Sequence, residues 1–253
     1  MQTARSFPQD VFMSTSNRLI SPYWETNNHC FVPINWETVP RTPDAIRLIS
    51  NIQNAILDTN IPIFIRGSLL EEIHPHPKAD IDIIYIAPQS HTTPIFSNLR
   101  RCTQRDIDIN VYSEDASEPK YFLLPLLHGR AMQISGPHLH QQHIPVNLDF
   151  VFNLWNQYNI SQLPRIITAD DPKRISRLKQ LFRTLGLLSL LHGDGFTRDI
   201  HSCLDWLHKQ DVLLSTTAQQ IWLRRTEHVS VDISSILEWE HQIFEKYLKY
   251  KHL

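Results

Sequence analysis

Apolar and polar positions change rhythm along this chain near residue 118. Before that point, short β-branched runs alternate with polar spacers; after it, apolar residues recur every three to four positions, the spacing of a helix face. Thr42 reads as an N-cap with Pro43 at the first helical position, and Ile46, Leu48, Ile49, Ile52, Ile56 and Leu57 mark an amphipathic helix to about Asp58. An apolar run at 61–65, bounded by Asn60 and Gly67, predicts a buried strand. Further strands are predicted over 81–87 and 106–112. The last alternates: Asp106, Asp108, Asn110 and Tyr112 share one face, and Ile107, Ile109 and Val111 the other.

Beyond residue 118 only 132–135 reads as a strand. Helices are expected over 118–129, 148–157, 171–192, 198–210, 216–226 and 233–250. Residues 1–41, rich in Pro, Asn, Trp and Tyr without period, read as an irregular extension packed on the body. The whole predicts an α+β fold, with a small mixed sheet followed by a C-terminal helical domain.

Composition narrows the function classes. At 253 residues with 42% apolar and 20% charged positions, the chain is long enough to bury a substantial core. A net charge of -2 leaves no global bias toward nucleic acid or a membrane surface, so a polyanion site has to be local, and no long nucleic acid is expected as partner. Three widely spaced cysteines, Cys30, Cys102 and Cys203, offer neither a disulfide framework nor a paired metal motif, which favours a reducing, cytoplasmic setting. No signal peptide or membrane span is read, and no membrane partner is expected.

Glycine is scarce, with six in all. Gly129, Gly136, Gly193 and Gly195 punctuate helix-like runs, Gly186 sits inside one, and Gly67 instead ends a strand and precedes Ser68. Three segment ends therefore deliver a Gly-Ser turn, Asp80-Ile81-Asp82 and Asp106-Ile107-Asp108. Alternation sets Asp80 and Asp82 on one strand face, about 6.6 Å apart along the backbone, where an adjacent strand can add a third carboxylate. Hard oxygen donors so placed suit Mg²⁺, and two such ions about 3.5–4 Å apart suit in-line displacement at phosphorus. A turn without a Cβ lets the backbone approach phosphate oxygens closely. Phosphoryl or nucleotidyl transfer is the reaction class indicated.

The run IFIRGSLLEEIHPHPKADIDIIYI, followed by RDIDINVY, resembles the DNA polymerase beta-like nucleotidyltransferases over roughly residues 44–113. The helical half, with KRISRLKQLFRTLG and GDGFTRDIHSCLDWL, looks like small bacterial members related to aminoglycoside nucleotidyltransferases. The resemblance implies a catalytic domain over 42–145 and a helical domain over 146–253. It further implies that Gly67 and Ser68 bind the triphosphate of an NTP, ATP first, and that Asp80 and Asp82 hold two Mg²⁺ ions. Asp108 takes the third metal position, with a possible role as the base. Asp106 shares its face and stays open as the alternative; Asp108 is favoured because Ile107 and Ile109 flank it as the family pattern requires. The chain departs from that pattern where Leu69-Leu70-Glu71-Glu72 replaces the usual Arg and Gly, and Ala79 the usual Ser.

The activity implied is transfer of NMP, AMP first, to a hydroxyl or phosphate of an acceptor, with release of pyrophosphate. A small-molecule acceptor is preferred. The alternatives are a protein- or RNA-modifying enzyme of toxin–antitoxin type and a non-catalytic nucleotide-binding partner module. Because no Arg follows Gly67, cationic help for the leaving pyrophosphate is expected from the basic run of the helix near Asp171, with Lys173 or Arg177 preferred and Arg198 in reserve. The six tryptophans read as core. The histidines at 138, 140 and 143, with His74 and His76, lack the second ligand pair of a zinc site and read as surface residues.

Overall fold

The computed structural model describes residues 17–27, 30–56, 60–76, 79–86, 99–101, 103–112, 127, 129–137, 146, 148–158 and 160–251. Most of the helix expected over 118–129, and the histidines at 138–143, lie outside them. The chain divides into two compact units, one of residues 1–21 and 32–144, the other of residues 22–31 and 145–253. The segment read as a single N-terminal extension is thus shared between both.

In the first unit the helix α1 (Pro43–Ala55) begins where Thr42 Oγ1 accepts the Ala45 N–H at 3.3 Å, with Pro43 spending its missing donor in the first turn. Four strands form one mixed sheet: β1 (Ile63–Arg66), β2 (Ile81–Ile86), β3 (Ile107–Tyr112) and β4 (Ala131–Ser135), in the order β3-β2-β1-β4. β1 runs antiparallel to both neighbours, and β2 and β3 are parallel. Ile63 and Ile65 of β1 and Ile81, Ile83 and Tyr85 of β2 bury against Ile49, Ile52 and Ile56, and Ile107, Ile109 and Val111 of β3 pack on the same cluster. Period two then sends Arg66, Asp82 and Asp108 to the opposite face. Burying the isoleucine face on α1 is what fixes the register, since a one-residue slip would exchange the two sets.

Residues 17–19 line the turn after β1. Leu19 N–H donates to Glu71 O at 2.8 Å, Ile73 N–H to Asn17 O at 2.7 Å, and Arg18 pairs with Glu71 at 3.3 Å. Trp36 donates its indole N–H to Ala131 O at 2.8 Å, tying the segment after residue 31 to β4.

The second unit is helical. After α2, a single turn in the first unit (Ser68–Glu71), it comprises α3 (Leu148–Gln157), α4 (Arg174–Leu191), α5 (Ile200–Gln210), α6 (Val212–Leu223) and α7 (Ser234–Lys251). Asp199 and Asp211 cap α5 and α6 by accepting the Ser202 and Leu214 N–H groups, each at 2.9 Å. Tyr23 and Trp24 pair antiparallel with Thr197 and Phe196, and Trp24, Phe31, Phe150 and Phe196 stack edge to face, with Trp24–Phe196 centroids 4.9 Å apart. Gly186 lets α4 pass the Thr197 carbonyl, because a Cβ there would overlap the Thr197 oxygen. Of the six tryptophans expected in the core, Trp24, Trp36, Trp206 and Trp222 are buried, while Trp155 and Trp239 are half-buried.

α4 buries Leu178, Phe182 and Leu185 at helical spacing, and its first turn departs from that pattern. Ile175 is exposed and Arg174 is buried. The Arg174 guanidinium donates to the carbonyls of Thr168, Arg224 and Arg225 at 3.0–3.2 Å, so the end of α6 and the turn after it receive the cation they favour. Within the basic run, Arg174 is thus a buried cation held by backbone carbonyls.

Between α4 and α7, Glu240 is fully buried, and Thr184 Oγ1 lies 2.6 Å from its Oε1 and 2.5 Å from Leu181 O. One hydroxyl proton cannot satisfy both acceptors. Burial pushes the Glu240 carboxyl well above the ordinary 4.5, which favours the neutral form, the one able to donate a second proton to this chain. The folded state thus holds a proton that the unfolded chain releases, and stability falls as pH rises from about 4.5 toward the folded value. Glu240→Gln removes that slope. Thermal melts should show the variant gaining Tm on the wild type with rising pH; a gap constant from pH 4 to pH 8 would contradict a neutral Glu240.

Candidate active site

The turn after β1 is built around Gly67, whose φ of 82° and ψ of -157° lie in a region essentially reserved for glycine. A Cβ at this position would collide with the Asp82 carboxylate. Glycine is favoured here for two reasons, backbone conformation and the closeness of the Asp82 side chain. Ser68 opens α2, where the Leu70 and Glu71 N–H groups return to Gly67 O at 3.0 and 3.1 Å, and Leu69 and Leu70 are fully buried in the sheet's core. The two leucines that stand where the family pattern has other residues thus anchor the turn, and Glu71 is held by Arg18.

The parallel ladder pairs Asp82 with Asp108 and Ile81 with Ile107. Ligand-capable oxygens of Asp80, Asp82 and Asp108 all lie within 4.8 Å of one another, Asp80 and Asp108 exposed and Asp82 half-buried. Asp106 precedes β3, and its carbonyl accepts the Ile81 N–H at 2.9 Å. Three carboxylate oxygens at this spacing, beside a turn with no Cβ, form a hard-donor set that fits a divalent cation such as Mg²⁺. Among the described residues no histidine joins a metal-capable group, and His74 and His76 are exposed.

The sequence reading overlooked Arg66. The antiparallel ladder sets it directly opposite Asp82, and its Nη2 donates to Asp82 Oδ1 at 2.9 Å. A lone Arg closing an otherwise apolar strand was the available signal, and it becomes informative only once the β1–β2 register is known.

Lys173 and Arg177 belong to the second unit. Lys173 is exposed at the start of α4, its N–H donating to Asp171 Oδ1 at 2.9 Å, and Arg177 pairs with Asp171 Oδ2 at 2.9 Å.

No family model matches the chain, and no curated protein matches it. Among solved structures it is similar to spectinomycin adenyltransferase AAD(9) from Enterococcus faecialis, determined with ATP and spectinomycin. The identity is 12% and the TM-score 0.47, over 81% of this chain and 99% of that one. A likeness at that level leaves the functional reading to rest on the site itself. No helix among the described residues is long and apolar enough to cross a membrane.

Proposed function

We propose that the protein is a metal-dependent nucleotidyltransferase that moves NMP, AMP first, from an NTP to a hydroxyl or phosphate of an acceptor, preferably a small molecule. The supporting observation is the meeting of Asp80, Asp82 and Asp108 within 4.8 Å on the sheet face that also carries the Gly67 turn. In this reading an acceptor oxygen forms a bond to the α-phosphorus, the bond from that phosphorus to the bridging oxygen breaks, and pyrophosphate leaves with the electron pair. Mg²⁺ ions held by the three aspartates would offset charge on the phosphate oxygens. Gly67 and Ser68 bind the triphosphate through backbone N–H groups and the hydroxyl. Asp108, exposed at the site, takes the acceptor's proton. Lys173 and Arg177 are carried in the proposal as candidates for cationic help to the leaving pyrophosphate.

Asp108→Asn should lower turnover at least about a hundredfold, the lower range for a positioned base. Asp106→Asn should cost much less, because Asp106 meets β2 through its backbone. Steady-state rates that rank the two variants the other way would misplace the third carboxylate.

A non-catalytic nucleotide- or partner-binding module gains support from one feature, the cation already seated on Asp82. The two readings separate when the protein is incubated with each α-labelled NTP and a cell lysate, and the label is followed by size. A metal-dependent label on small molecules supports the proposal, a label on protein or RNA moves the acceptor class, and no label on any fraction favours the module.

A further inference from the structure

Arg66 and Asp82 face each other at the end of the β1–β2 ladder, on the sheet face turned away from α1. Their side chains are only 25% and 19% exposed, so solvent screens the pair less than it would a surface bridge. The guanidinium contacts the carboxylate through Nη2, while its Nε is enclosed and without a hydrogen-bond partner among the described residues. A planar fork with one arm engaged and an enclosed N–H unspent is under-satisfied, and a phosphate, with several acceptor oxygens, can satisfy it through two parallel bonds. The residue is followed at once by Gly67 and Ser68.

The pair also conflicts with the site around it. A divalent cation seated among Asp80, Asp82 and Asp108 would lie against the guanidinium, and two cations competing for one carboxylate repel each other. We propose that Arg66 is an exchangeable counter-ion: it holds Asp82 while the carboxylates carry no metal, and passes to the nucleotide's phosphates when metal takes its place. This rests on the nucleotidyltransferase reading and gives the Gly-Ser turn the cation that its sequence otherwise lacks. It also makes Arg66 a nucleotide-binding residue that is in position before nucleotide arrives.

The test is Mn²⁺ binding to the full chain, followed by the electron paramagnetic resonance signal of free ion, and ATP and AMP binding at saturating Mn²⁺, for the wild type, Arg66→Gln and Arg66→Lys. Arg66→Gln should take up Mn²⁺ alone about tenfold more tightly, because its competitor is gone, and should bind ATP about tenfold more weakly, with AMP less affected. Arg66→Lys, which keeps the charge, should stay near the wild type for Mn²⁺ and lose part of the ATP affinity, showing that the fork matters. Tighter Mn²⁺ with unchanged ATP binding in Arg66→Gln would make Arg66 a fixed counter-ion and overturn the exchange. Unchanged binding of both ligands would overturn it as well, while leaving the metal site standing. A wild type that takes up no Mn²⁺, with or without ATP, would overturn the nucleotidyltransferase reading itself and this inference with it.

Discussion

Asp82→Asn is expected to lower nucleotidyl transfer at least about a thousandfold while the protein stays folded. Asp82 is the centre of the site. It pairs with Asp108 across the parallel ladder, with Arg66 across the antiparallel one, and approaches Gly67 so closely that no Cβ fits between them. Asparagine keeps the shape but has one neutral oxygen in place of a shared negative charge, so it binds a hard cation weakly. From the sequence alone, removing one of several clustered carboxylates should relieve repulsion and stabilise the apo protein. The Arg66 pair changes that sign: the variant gives up a charge-assisted hydrogen bond and should lose about 1 kcal/mol of stability. Urea melts and initial rates on the same preparation check both halves. Full activity with an unchanged melt would remove Asp82 from the chemistry.

Gly67→Ala is expected to cost about 3 kcal/mol of stability and most of the activity. The backbone contribution comes from a φ of 82° with ψ of -157°, a conformation that costs an L-residue about 1–3 kcal/mol. The steric contribution comes from the new methyl group meeting the Asp82 carboxylate, which has to move. Because Asp82 is displaced even in molecules that remain folded, transfer measured well below the unfolding temperature should still fall at least about a hundredfold. A variant that melts like the wild type and transfers at an unchanged rate would show that neither the conformation nor the close approach is needed.

The elements that carry the site were legible because their side chains obey a period and their ends carry punctuation. α1 begins at the Thr42–Pro43 pair that marks it, and β3 divides its aspartate and isoleucine faces as its alternation requires. The paired strands at Tyr23–Trp24 and Phe196–Thr197 are two residues each, too short for any period, and depend on partners more than 170 positions away. α6 starts earlier than expected: Asp211 caps it, but Val212 and Leu213 in its first turn are exposed, so apolar spacing misses the beginning. In the first turn of α4, the buried Arg174, satisfied by three carbonyls, looks in sequence like a solvated arginine. Arg66 was missed for the complementary reason, since its meaning lies in the strand register and not in its neighbours along the chain.

The most direct measurement of the central claim uses two ATP samples, one labelled at the α-phosphate and one at the γ-phosphate, each given to the purified protein with Mg²⁺ and an acceptor-containing small-molecule extract. A nucleotidyltransferase should place the α label on the acceptor and release an equal amount of γ label as pyrophosphate, with both signals lost in Asp82→Asn. Gamma label on the acceptor, or transfer that persists in Asp82→Asn, would contradict the account.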